Sequence, residues 1–125
     1  MDSVSFEIRH RHDGAVEVCL GGELDLCTGP DLASRLERLI RTSPVQTIII
    51  ALGGLTYCDA AGLNVFANAQ RDAERLGKEI VLTGANGLLR RVFASVQFGR
   101  VVRIDDEETP RRYKEDSSDS DAAEP

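Results

Sequence analysis

Tryptophan is absent from this chain, and aromatic residues fill only 5% of its 125 positions. Any core must therefore be built from aliphatic side chains, and the apolar fraction of 42% supplies them. No apolar run approaches the roughly 18 residues that a membrane-spanning helix needs. Met1-Asp2-Ser3-Val4 opens without the apolar stretch of a signal peptide, so the cytoplasm is the expected location. The cysteines are few and odd in number: Cys19, Cys27 and Cys58. They lack Cys-x-x-Cys spacing, which suits free thiols in a reducing compartment and excludes the common zinc patterns. Catalytic signatures are missing too. There is no phosphate-binding Gly-x-x-x-x-Gly-Lys loop, no dinucleotide glycine fingerprint, no His-Glu-x-x-His and no Gly-x-Ser-x-Gly. A binding module with no cofactor and no metal is expected, not an enzyme.

The formal net charge is −6, and it is uneven. Residues 105–125 hold nine acidic and three basic side chains, which leaves twelve of each sign in residues 1–104. A neutral domain with an acidic tail is a poor nucleic-acid binder. Apolar periodicity stops at Asp105, and Asp, Glu and Ser dominate from there. The division expected is one domain over 1–104 and a disordered tail over 105–125, with Ser117, Ser118 and Ser120 in acidic context.

What is present is patterned. Val4, Phe6 and Ile8 alternate with Ser5, Glu7 and Arg9, and Val16, Val18 and Leu20 alternate likewise. Arg11-His12-Asp13-Gly14 lies between, so an antiparallel hairpin is expected, with His10 and His12 read as solvated beside the turn. Gly21-Gly22 allows the second strand to end or bulge. Thr28, Pro30 and Asp31 have the spacing of a reciprocal N-cap. The helix expected from Gly29 to Arg41 buries Leu32, Leu36, Leu39 and Ile40 and turns Arg35, Arg38 and Arg41 outward. Those arginines read as a solvated face, or as a patch for an acidic partner.

Thr47-Ile48-Ile49-Ile50-Ala51-Leu52 suits a strand buried on both faces, ended by a Gly53-Gly54 break. A helix then starts near Asp59, placed as N-cap, with Leu63, Phe66, Ala67, Ala73 and Leu76 on its apolar face. Leu76-Gly77-Lys78 stops it before a strand over Glu79 to Thr83. Gly84-Ala85-Asn86-Gly87 turns the chain into a third helix with Leu88, Leu89, Val92, Phe93 and Val96 apolar. Gly99 closes that helix, and Arg100 to Ile104 is expected as a last strand. These elements predict an α/β fold: a mixed sheet with an N-terminal antiparallel hairpin and a parallel core, flanked by three or four helices.

Gly22-Glu23-Leu24-Asp25, Thr28-x-Pro30, Leu55-Thr56-x-x-Asp59-Ala60-Ala61-Gly62-Leu63 and Leu82-Thr83-Gly84 together resemble the bacterial anti-sigma-factor antagonists of the STAS-domain family. The resemblance spans about Val4 to Ile104. It implies a mixed sheet flanked by helices. It also implies a partner, an anti-sigma factor of the GHKL serine-kinase type, whose sigma factor is released on binding. In that family the residue after the loop aspartate is usually Ser or Thr, and its phosphorylation by the partner breaks the complex. Here it is Ala60, followed by Ala61, so this position has no hydroxyl to modify. Three explanations fit: a constitutive antagonist, a diverged relative serving another partner through the same rim, or a Ser→Ala replacement.

The contact surface expected is Asp25, Thr56, Cys58, Asp59, Ala60, Ala61, Gly62 and Asn64, with Val65 and Asn68 on the exposed side of the central helix. Gly62 is read as keeping that face flat. Cys58, before a helix start, is read as a packed apolar residue, with a redox switch as the second reading. A monomer or weak dimer is expected. The reading from another class keeps the fold and makes the chain a subunit of a lipid-transport ATPase or a scaffold piece in a stress-sensing assembly.

Overall fold

The structure, a computed structural model, describes residues 4–105. The residues beyond Asp105, with the expected tail disorder and its three serines, lie outside the described part. Five strands form one sheet in the sequential order β1-β2-β3-β4-β5. They are β1 (Val4–His10), β2 (Ala15–Leu24), β3 (Thr47–Cys58), β4 (Glu79–Thr83) and β5 (Arg103–Asp105). β1 and β2 pair antiparallel, and every later pair is parallel, as the element pattern predicts. Three helices cross between the parallel strands: α1 (Gly29–Thr42), α2 (Ala60–Arg75) and α3 (Gly87–Ser95).

The hairpin forms where Asp-Gly placed it, with Gly14 at φ +87° and the Arg11 N–H donating to the Ala15 carbonyl at 3.0 Å. Period-two alternation then decides what each strand buries. Val16, Val18, Leu20, Ile48, Ile50, Leu52, Ile80 and Leu82 face the helices and join one aliphatic core. The opposite face holds the smaller cluster Ala15, Ile49 and Val81, so β3 is buried on both faces as its apolar run requires. Phe66 of α2 is fully buried against the main core, worth about 1.5–3 kcal/mol on transfer from water. Lys78 ties the layers together: its ammonium donates to the Ile40 carbonyl at 2.6 Å and to the Ser43 carbonyl, where α1 ends with unpaired acceptors.

Several expectations are corrected. Ile8 keeps the inward phase but is 41% exposed, because β1 is an edge strand and α1 leaves its outer half uncovered. Of the two outcomes open at Gly21-Gly22, the structure takes the bulge: β2 passes through it, with Gly22 at φ +96°, and continues to Leu24. β3 likewise runs through Gly53-Gly54 to Cys58, because Gly54 packs against the β2 backbone with no space for a side chain. Leu76 falls just past the end of α2 and is exposed. In α3, Leu89 and Phe93 turn inward, with Phe93 stacked on Phe98 at 5.4 Å, while Leu88 stays exposed, as does Val96 just past the helix end. Gly99 lies inside a 3-10 turn over Phe98–Arg100, and the last strand is shorter than expected. That strand takes in Asp105, whose buried carboxylate pairs with Arg103 at 3.3 Å.

Candidate functional site

β2 and β3 end side by side, Leu24 opposite Cys58. The next residue on each strand is an aspartate, Asp25 and Asp59, and each organises a turn. Asp59 is extended and caps α2: its carboxylate accepts from the Gly62 N–H at 3.1 Å, as the sequence placed it. Its own N–H reaches the Leu24 carbonyl at 3.3 Å, which fixes the helix start against the end of β2. Ala60 follows at the first position of the helix and is exposed, with Ala61 half-buried beside it.

Asp25 is occupied by its own loop. Its Oδ1 accepts from the Thr28 N–H at 3.0 Å and the Cys27 N–H at 2.9 Å. Those bonds, the Thr28 amide first, hold its carboxyl below the ordinary range against the opposing effect of desolvation. Thr28 accordingly does not cap α1. Its hydroxyl accepts from the Asp25 N–H at 2.9 Å and donates to the Glu23 carbonyl at 2.8 Å. Asp31 pairs with Arg35 at 3.2 Å, so the reciprocal cap expected at Thr28 and Asp31 is replaced by an Asp25-Thr28 turn. Pro30 does occupy the first turn of α1. Thr56 is exposed, and its hydroxyl donates to the Gly22 carbonyl at 3.2 Å across the bulge.

Two residues expected on the surface belong inside. Gly62 is buried: a Cβ there would lie 2.7 Å from Cys58 Sγ and 2.8 Å from Leu24 Cγ. Its role is close packing of α2 onto the strand ends, not flatness of a contact face. Val65 is buried at 7% exposure, and its Cγ2 is 3.3 Å from where a Gly29 Cβ would stand. α2 packs against both the sheet and α1, so its apolar arc is wider than a single stripe. Asn64 and Asn68 are exposed, as expected; Asn68 accepts from Arg71.

Cys58 is half-buried under this rim, with Sγ 3.6 Å from the Asp59 carbonyl. Burial, and then the Asp59 charge, push its thiol up to about 11. The thiol is partly buried against the main core, which agrees with a packing role. At pH 7.5 the thiolate fraction is well under about 1%. Iodoacetamide should therefore label exposed Cys27 and spare Cys58 until the pH nears 11, as read by peptide mass mapping. Equal labelling at pH 7.5 would reinstate the switch.

The sequence reading missed two residues. Leu26, at 76% exposure, projects from the Asp25-Thr28 turn, and Tyr57, at 50%, stands opposite Glu23 on β3. Leu26 left a trace in the sequence, since no strand or helix period requires an apolar residue between Asp25 and Thr28. Tyr57 left none, because β3 was expected to stop before it. Ala60, Leu26 and Tyr57 are thus three exposed apolar residues within two positions of the C-terminal ends of β2 and β3. Among the described residues no group of three or more His, Cys, Asp or Glu could hold a metal ion, and no helix is long and apolar enough to cross a membrane.

The family model described as "Mlab, STAS domain" matches residues 9–103. The chain belongs to the STAS-domain family. A relative from Listeria monocytogenes, named anti-sigma-B factor antagonist, is 28% identical over 102 residues, covering 82% of this chain and 89% of the relative. The solved structure of the anti-sigma factor antagonist SpoIIAA in its unphosphorylated form superposes with a TM-score of 0.66 at 22% identity, over 89% of this chain and 96% of that one. An anti-sigma factor antagonist from Mycobacterium paratuberculosis gives 0.72 at 19% identity, over 82% and 86%. At these identities the two structures speak for the fold alone.

Proposed function

We propose that this protein is an anti-sigma factor antagonist that acts by binding, and that the surface around Ala60 docks on an anti-sigma factor of the GHKL serine-kinase type. The observation that carries the reading is the exposed Ala60 at the first position of a firmly capped helix. A capped start holds this contact residue in one place, so little ordering entropy is spent on docking. Exposed Leu26 and Tyr57, near the ends of β2 and β3, offer the apolar anchors on which protein interfaces concentrate their energy. The name of the Listeria relative, anti-sigma-B factor antagonist, supports an anti-sigma factor as the partner. Because Ala60 has no hydroxyl, the surface keeps one charge state, and the kinase activity of the partner does not end the complex.

The test is affinity capture from the source cell, followed by calorimetric titration of the recovered partner. A kinase-type anti-sigma factor should be recovered, and its dissociation constant should be the same with and without ATP preincubation of the two proteins. Recovery of a transporter ATPase would move the chain to the lipid-transport reading.

A further inference from the structure

The edge of the sheet farthest from β5 is β1, which pairs only with β2 among the described residues. It is seven residues long, and its outer side is largely exposed. An open strand edge of this length is a template for another strand. Its hydrogen-bonding phase follows from the hairpin. The Arg11 N–H points to Ala15, and the register Val4↔Gly22 through His10↔Val16 continues without slip. In an antiparallel ladder, groups alternate between the two sides. Residues 5, 7 and 9 thus direct their N–H and C=O groups to β2, and Phe6, Ile8 and His10 direct theirs outward.

We propose that a second copy of this chain pairs with this edge, β1 against β1 antiparallel, with Ile8 on the two-fold axis. A two-fold axis perpendicular to the sheet keeps the helix faces on one side, and the registers centred on Phe6, Glu7 and Ile8 satisfy the outward groups while pairing most of the seven residues. Centring on Phe6 sets Ser5 opposite Glu7 and leaves Arg9 unmatched. Centring on Glu7 sets two glutamates opposite each other. Centring on Ile8 sets each Glu7 opposite Arg9 of the second copy, at the closer non-hydrogen-bonded spacing of about 4.5 Å between Cα atoms. Only this register converts both charges into cross-strand ion pairs. Within one copy Glu7 and Arg9 are a loose pair, 3.9 Å apart and 67% and 61% exposed, so both are available for the exchange.

The face toward the helices agrees. Ile8 lines an open cleft of about 500 Å³ between β1 and α1, together with Phe6, Leu39, Arg35 and Arg38. Arg35 is paired with Asp31 and lies over the Phe6 ring at 5.6 Å. In the Ile8-centred register the Ile8 side chains of the two copies meet at the seam beside this cleft. The surface is separate from the Ala60 rim, so a dimer could dock a partner on each copy.

Sedimentation equilibrium on the full chain tests it. The wild type should show a reversible monomer–dimer equilibrium. Glu7→Arg should set two arginines against each other at both of the cross-strand pairings. Arg9→Glu should set two glutamates against each other at the same two places. Each substitution alone should weaken the dimer roughly thirtyfold or more. Both side chains are exposed, so circular dichroism should report an unchanged fold. An equimolar mixture of the two variants should then form a heterodimer, because both arginines of one chain meet the two glutamates of the other. A mixture no more associated than its components overturns the register. A wild type that stays monomeric, even one whose edge takes up an alternating Glu-Val peptide instead, overturns the dimer.

Discussion

Ala60→Ser should convert a permanent binder into a switchable one. Incubated with its partner kinase and ATP, the variant should gain one phosphate by intact mass, and its affinity should fall, while the wild type gains none. The physical reason lies at the helix start. A phosphate at position 60 brings about −1.5 to −2 charges and three acceptor oxygens to an exposed contact point. Asp59 already holds the Gly62 amide with its carboxylate, so the phosphate would be a second anion beside the first. Free amides and the dipole of the first turn stabilise such an anion within the molecule. The fold should therefore survive, with an unchanged circular dichroism spectrum, and the cost should fall on docking. Ala60→Asp isolates the charge from the enzymology. It should weaken the complex by about 1–3 kcal/mol, or roughly 5- to 150-fold in dissociation constant. Unchanged affinity of Ala60→Asp would place the docking surface elsewhere on the sheet. Phosphorylation of Ala60→Ser without loss of affinity would have the same meaning.

Legibility differed with the kind of signal. Alternation named the inward residues of β2 because a helix layer covers one side of that strand and period two decides burial. Asp59 was legible as a cap because a carboxylate followed by a helical period has few other uses. Where one residue serves two neighbours, the reading failed. Val65 looked exposed on a single-stripe helix, but α2 touches both the sheet and α1. Thr28 looked like a cap, but Asp25, three residues before it, competes for the same hydroxyl and amide and wins with two further bonds. Gly53-Gly54 looked like a break because sequence patterns do not distinguish a glycine that frees the chain from one that lets two strands approach. That last failure cost the site most, since it cut β3 short of Tyr57 and replaced a strand end with a loop.

The two adjacent glycines of β3 should therefore respond oppositely to the same substitution. A Cβ at Gly53 would find its nearest neighbour, the Gly84 carbonyl oxygen, at 3.8 Å, an ordinary contact. Gly53→Ala should change stability by no more than about 0.5 kcal/mol. A Cβ at Gly54 would stand 2.6 Å from the Leu20 carbonyl oxygen and 3.1 Å from Gly21 Cα. Both are β2 backbone, and no rotamer can move them aside. The strands must part at the slip between Cys19 and Gly21, where the ladder is already irregular. Gly54→Ala should cost about 3 kcal/mol, the upper end for overpacking, and lower the thermal midpoint by roughly 10–20 °C. The damage runs toward the rim. Beyond the clash lie the pairings of Gly22 with Leu55, Glu23 with Tyr57 and Leu24 with Cys58, the Thr56–Gly22 bond, and the Asp59–Leu24 bond that seats α2. Below its melting point, Gly54→Ala should thus also bind its partner less tightly, whereas Gly53→Ala should bind as the wild type does. Equal melting of the two variants would mean that β3 stops at Leu52 after all, and that the surface around Ala60 is held by something other than the end of this strand.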